Sequence, residues 1–494
     1  MHCFEKSGLP DFCLGFYRGF EEVKGAPVQK GQVMTGIVRD TREMFRDRTF
    51  LKKTVMIALP VAMQGMLNTV VNLVDNLMIG SLGSTAIASV GLANKVFFVF
   101  TLLVFGINSG SGVLAAQFWG NQDVKNIRKV LGLALSLAVT GSVVFLLPAC
   151  LKPRMLMRIF TTSQASIEMG AAYLAVAAFS YPCTAITNTY VGMLRAVNRV
   201  KEPVLISCAA IVTNICFNYI LIFGKLGAPA MGVVGAALAT LIARVVEVVL
   251  ILGVVYLKRT PLACGFKGLF GWSGGFLRKF FVTALPVICN EFIWGLGTTI
   301  YSMAYGRMGD DAVAAITIAT TIQDMAVVLF QGLSAATAVI LGNEMGAGNL
   351  KRAETYGKNF FILQFLVTVV TALLCVSFRW KFIGLYQPGI SDEVAMAVSR
   401  CIVVFALFSP FRMFNYVNVV GVLRSGGDTA MCLFIDTSGV WFIGIPLAFL
   451  GGLLLKQPIH IVYGMVTLEE VYKAVIGYMR YRQKKWLRNL AVEL

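Results

Sequence analysis

Two stretches of this chain, residues 130–151 and 360–378, run for about 20 residues without one Asp, Glu, Lys or Arg. A helix of that length crosses the roughly 30 Å hydrocarbon layer of a bilayer, and only helices and closed barrels satisfy their backbone polar groups there. Around them, 57% of the 494 residues are apolar and only 14% are charged, against about 25% charged in soluble domains. A soluble multidomain enzyme and a disordered chain are excluded at this level. So is a secreted disulfide scaffold, because the eleven cysteines are scattered with no CxxC pair.

Hydropathy divides the chain into twelve spans: 55–79, 86–112, 130–151, 169–194, 203–224, 231–257, 280–305, 312–341, 358–378, 396–423, 430–454 and 459–479. The expected architecture is an all-α polytopic membrane protein with twelve transmembrane helices in two pseudo-symmetric six-helix bundles. The divisions are a disordered cytoplasmic tail (1–47), an N-terminal lobe (48–257), an inter-lobe linker (258–279), a C-terminal lobe (280–480) and a basic tail (481–494). In the tail, Met34 and Met44 are alternative starts. Of the 43 Lys and Arg, thirty fall on the side of the two chain ends, Arg195 and Arg424 among them, and eight in the opposite loops. The positive-inside rule then places both ends in the cytoplasm. The formal charge of +18 is thus a topology signal, and no nucleic-acid partner is expected. The expected location is the plasma (inner) membrane.

The two halves repeat. A shift of 226 residues lays Leu59-Pro60-Val61 on Leu285-Pro286-Val287, Gly80 and Gly83 on Gly306 and Gly309, and Lys125 on Lys351; a shift of 229 lays Gly192-Met193-Leu194-Arg195 on Gly421-Val422-Leu423-Arg424. Each copy holds six spans, so both enter the membrane in the same sense and are related by an axis along its normal. Two such bundles meet at a central cleft.

Polar residues inside the spans mark what the cleft handles. Gln64, Asn68, Asn72 and Asp75 share one face of the first span. Asn214 and Asn218 on the fifth and Thr240 on the sixth add oxygen ligands suited to a hard cation, making with Asp75 a candidate Na+ or proton site. The structural alternatives are an Asp75–Lys95 pair and asparagines that merely cross-link helices. In the C-terminal bundle, Asn290, Glu291, Thr298 and Ser302 form a seventh-span face, and Asp436 lies close to the start of the eleventh span. The two acids are suited to proton exchange or to neutralising a cationic substrate; the alternative is a fixed pair with Arg412 of the tenth span. Gln64, Asn68, Asn72, Asn290, Thr298 and Arg412 are expected in the substrate cavity. Arg244 with Glu247 and Glu469 with Lys473 read as local ion pairs, and Asp428 reads as the cap of the eleventh helix. Prolines 60, 182, 286, 410 and 446 are placed to bend helices.

Val74-Asp75 followed by Ile79-Gly80-Ser81-Leu82-Gly83, the Gly120–Lys125 loop, Leu194-Arg195, the run from Gly232 to Thr240, and Leu423-Arg424-Ser425-Gly426-Gly427-Asp428-Thr429 together resemble the multidrug and toxic compound extrusion (MATE) transporters over residues 44–494. The resemblance implies two six-helix lobes that export organic cations in exchange for protons or sodium ions. It also implies an N-lobe cation site at Asp75, Asn214, Asn218 and Thr240, and a substrate or ion role for Glu291. Where many members carry a second Asp on the fifth helix, this chain has Asn218, which removes one negative charge and leaves room for the coupling chemistry to lie at Glu291 and Asp436. A monomer without a cofactor is expected. Two other classes compete. A lipid-linked saccharide flippase would line its cavity with arginines for a pyrophosphate, and a membrane enzyme would need a metal or nucleophile cluster, which His2 and His460 do not supply. A ligand sensor without transport is the remaining alternative.

Overall fold

The computed structural model describes residues 39–384, 386 and 390–492, and among these there is no strand. Twelve long helices follow one another: α1 (Arg48–Gly80), α2 (Ser84–Gly120), α3 (Val124–Leu151), α4 (a bent pair, Gln164–Ala177 and Ser180–Ala196), α5 (Lys201–Phe223), α6 (Gly232–Leu257), α7 (Gly274–Gly306), α8 (Asp310–Gly346), α9 (Leu350–Gly384), α10 (Asp392–Leu423), α11 (Thr429–Leu454) and α12 (Ile459–Arg482). Ten of them are long and apolar enough to cross a membrane, and α4 is an eleventh when its halves count as one span. The 24-residue α12 completes the set although it carries Glu469, Glu470 and Lys473. The protein is therefore a twelve-helix membrane protein of two six-helix lobes, α1–α6 and α7–α12.

Local chemistry sets the ends and bends. Asp47 caps α1 by accepting from the Phe50 N–H at 2.9 Å, and Asp123 caps α3 through the Asn126 N–H at 3.1 Å. Gly83 and Gly309, the pair related by the 226-residue shift, begin α2 and α8 at φ of 109° and 110°, backbone that only glycine adopts without strain. Span 169–194 is not one straight helix: the halves of α4 meet at 49°, because Pro182 offers no N–H to the Ala178 carbonyl. In the C-lobe, the last part of α10 (Tyr416–Leu423) and two pieces of α11 (Val440–Gly444 and Leu450–Leu454) are wound as π-helix.

Glycines let the lobes approach backbone to backbone. A Cβ on Gly346 of α8 would lie 1.9 Å from the Gln117 carbonyl oxygen of α2, and one on Gly120 of α2 would lie 2.0 Å from that of Asn343. Further along, Gly110 meets Ala284, Gly106 meets Ile288, and Gly332 meets Ala58. Lys53 of α1 reaches Glu344 of α8 at 3.3 Å. These contacts run from mid-membrane to the face that carries both chain ends. The far halves of α1 and α2 line a cavity instead.

Where they are described, both ends of the chain pack onto the protein. Residues 1–38, including Met34 and most of the segment expected to be disordered, lie outside the described residues. Residues 39–46 form a helix whose Met44 is buried with Phe50 and Ile57 in the C-lobe core. The basic segment after α12 folds back under the protein. Trp486 is fully buried, stacked on Tyr481 at 5.6 Å, while Leu490 belongs to the core of the N-lobe. Gln117 of α2 holds this segment from both ends of its amide, donating to the Ser425 and Arg488 carbonyls at 2.7 and 3.2 Å and accepting from the Leu490 N–H at 2.6 Å. The apolar spacing of Trp486 and Leu490, not the surrounding charge, decides where the segment goes.

Candidate functional site

The cavity lies in the far half of the N-lobe and has a volume of about 570 Å³. One face of α1 lines it with Gln64, Asn68, Asn72 and Asp75, as a spacing of four, four and three on a helix requires. Asn68 and Asn72 are exposed and Asp75 is half-buried, an arrangement that a membrane interior tolerates only around a wet cleft. Asn214 and Asn218 of α5 and Thr240 of α6 complete the wall.

These side chains form a connected chain of hydrogen bonds. Asn218 donates to Asp75 Oδ1 at 2.6 Å and to Asn214 Oδ1 at 3.2 Å, and Asn214 donates to Thr240 Oγ1 at 3.5 Å. Both acceptors face the Asn218 amide nitrogen, which fixes how that amide is turned. Its carbonyl oxygen is left buried with no hydrogen-bond partner among the described residues. Asp75 thus takes Asn218 as its partner, not Lys95. Beside it, Glu247 is buried and holds Arg244 at 2.7 Å, as the local pairing expected. A second chain runs from Arg195, which donates to Gln64 Oε1, through Gln64 to Ser207 Oγ at 2.7 Å and on to Glu247.

In the C-lobe the structure brings together Asn290, Glu291 and Asp436, but around a different cation from the one expected. Arg424 sits 2.9 Å from Glu291 and 3.9 Å from Asp436, with only 2% of its side chain exposed, and Asn290 donates to Asp436 at 2.9 Å. Arg412 is not the partner of either acid; it reaches Gln323 at 3.5 Å, where Tyr463 also donates. The Thr298 hydroxyl turns back to the Gly295 carbonyl of its own helix at 2.9 Å. Asp428 stands at the N-cap of α11 without capping it by its side chain. It binds Arg480 through both oxygens, at 2.5 and 2.8 Å, a bidentate pair stronger than a single N–H bond. Glu469 and Lys473 pair as expected, at 3.2 Å.

Arg195 and Arg424 escaped a reading based on loops, because Leu-Arg at the end of a span, before Ala-Val-Asn in one copy and Ser-Gly-Gly in the other, looks solvent-exposed. The usable signal was their identity at a constant 229-residue offset. The two sites are in fact one motif in duplicate: Arg195, Gln64 and Ser207 on one side, and Arg424, Asn290 and Asp436 on the other, are related by the same two shifts.

The MatE family profile matches the chain twice, over residues 60–220 and 286–450. The chain belongs to the MATE family. The two matches begin 226 residues apart, the shift found within the sequence. Among relatives of this MATE protein is an uncharacterized transporter, YisQ, of Bacillus subtilis, 23% identical over 421 residues, covering 84% of this chain and 90% of the relative. A probable multidrug resistance protein, NorM, of Thermotoga maritima is 25% identical over 400 residues, covering 81% and 85%. A solved outward-facing multidrug resistance MATE transporter shares the fold with a TM-score of 0.80 at 20% identity, over 88% of this chain and 95% of that one. The protein is thus a membrane transporter of the MATE family.

Proposed function

We propose that this MATE protein exports organic cations across the plasma membrane in exchange for protons or sodium ions, with Asp75 as the coupling carboxylate. The observation that carries the reading is the cavity wall itself. It presents one half-buried carboxylate, a buried asparagine carbonyl oxygen without a donor, and further oxygens of Asn214 and Thr240 within the same hydrogen-bonded chain. Oxygens of this kind suit a hard monovalent cation or, on the carboxylate, a proton. With both chain ends in the cytoplasm, as the Lys and Arg distribution favours, the closed face is cytoplasmic and the cavity faces outward. Alternating access is then a rocking of the two lobes about the glycine-lined contact. Glu291 and Asp436 exceed the charge of Arg424 by one; in the proposed cycle they receive the positive charge of the substrate. The chain works as a monomer in this scheme.

The flippase alternative finds less support. Arg244 lines the cavity, but Glu247 already neutralises it, leaving no free guanidinium for a pyrophosphate there. The test is efflux of a fluorescent organic cation from proteoliposomes, driven separately by a pH and a sodium gradient. One gradient should drive efflux, Asp75→Asn should abolish that response, and Glu291→Gln should weaken substrate binding. Gradient-driven efflux that survives Asp75→Asn would move the coupling site elsewhere.

A further inference from the structure

The two lobes arise from one duplicated bundle, so each cavity residue has a counterpart. The 226-residue shift carries Asp75 of α1 onto Tyr301 of α7. The 229-residue shift carries Thr240, Arg244 and Glu247 of α6 onto Glu469, Lys473 and Ile476 of α12, with Gly235 falling on Gly464 as a check on the register. The structure joins these counterparts. Tyr301 Oη donates to Glu469 Oε2 at 2.5 Å, and Lys473 Nζ lies 3.2 Å from Glu469 Oε1. Both oxygens of the carboxylate are taken, and Glu469 and Lys473 are 7% and 3% exposed.

Helix α11 is shaped around this pair. A Cβ on Gly444 would lie 1.9 Å from Tyr301 Oη and 2.5 Å from Glu469 Oε2, and one on Gly439 would lie 2.5 Å from Lys473 Cε. The π-wound piece Val440–Gly444 begins right after Gly439 and ends on Gly444. In the N-lobe the corresponding helix, α5, supplies the asparagine amides. The C-lobe has kept the place of the site, moved its carboxylate from the first helix of the bundle to the last, and brought in an ammonium group.

The decisive difference lies three residues along from that ammonium. In the N-lobe the equivalent cation, Arg244, is held by Glu247 at 2.7 Å, and the hydrogen bond that Asp75 accepts at the cavity comes from the Asn218 amide. In the C-lobe the position of Glu247 is Ile476, and Lys473 stays on Glu469. We infer that the Tyr301–Glu469–Lys473 cluster is the C-lobe duplicate of the cation site, permanently filled by the tethered ammonium of Lys473, and that removing or diverting that ammonium makes Glu469 bind a second proton or sodium ion. The inference rests on the reading of Asp75 as the N-lobe cation site. It explains how a duplicated transporter can carry two equivalent sites and still exchange at one.

The experiment counts cations bound per purified chain, by equilibrium binding of radioactive sodium and by proton uptake on acidification. The wild type should bind one, lost in Asp75→Asn. Lys473→Met should bind one more, retained with Asp75→Asn added and lost with Glu469→Gln added. Ile476→Glu keeps both charges and draws Lys473 away as Glu247 draws Arg244, so it should also gain a cation; it carries the test if Lys473→Met does not elute as a folded monomer. A folded Lys473→Met or Ile476→Glu protein that binds the wild-type number of sodium ions and protons overturns the inference. A wild type that binds none, with the gain intact in the variants, would refute the Asp75 reading alone.

Discussion

Replacing Gly346 by alanine tests whether the glycine contact between α2 and α8 is what closes the face carrying the chain ends. The added Cβ would stand 1.9 Å from a backbone carbonyl oxygen, inside the 3.0 Å that real Cβ atoms essentially never breach. No flexible side chain is available to yield, so the two helices must part by about 1 Å at that point. Overpacking of this kind costs about 1–3 kcal/mol. At about 1.4 kcal/mol per tenfold, the balance between this closed face and an opened one should shift about 5- to 150-fold. Spin labels at exposed Gln122 and Lys351, on opposite lobes and in a background cleared of native cysteines, report the separation. Gly112→Ala on α2 is the control, since its Cβ would meet nothing within 4 Å. A distance distribution for Gly346→Ala that matches both the wild type and the control would refute the claim that this contact sets the closed state.

Three further outcomes are expected. Glu291→Gln leaves the buried Arg424 guanidinium with Asp436 at 3.9 Å as its remaining carboxylate; losing one partner of a buried ion pair costs about 3–5 kcal/mol, so thermal stability should fall, and adding Arg424→Met should restore much of it. No drop in melting temperature for the single variant would show that the pair is not holding the C-lobe. Trp486→Ala removes a fully buried side chain, a loss of about 3–5 kcal/mol in a well-packed site, and hydrogen exchange should rise across residues 483–492 and the end of α12; unchanged exchange would mean that the segment is held by its backbone bonds alone. Pro182→Ala should straighten α4 and restore a slowly exchanging amide at residue 182, whereas a persistent 49° bend would trace the break to packing.

What was legible in the sequence was set by periodicity. The face Gln64–Asn68–Asn72–Asp75 follows from helical geometry alone, and the constant offsets revealed the duplication before any fold was known. Partners across helices were harder, because nothing in a sequence says how two helices are turned toward each other. Arg412 was the nearer guess for Glu291 and Asp436 since it lies inside a hydrophobic span; Arg424 looked like a loop residue beside Ser425, Gly426 and Gly427. Those glycines serve instead to admit Trp486 and Leu490, whose atoms would otherwise collide with a side chain there. The same oversight concealed the fate of the C-terminal segment. Its charges marked it only as a basic tail, and the two apolar residues four apart carried the further message.

That segment has a consequence for how the protein is made. Trp486 enters the core of one lobe and Leu490 that of the other, and both follow the last membrane helix in the chain. Each lobe can be threaded into the bilayer and packed as its six helices emerge from the ribosome, but the clasp between them forms only after α12 has been delivered. Until then the newborn halves meet without this clasp, so the contact between the lobes is completed only after the last membrane helix is in place.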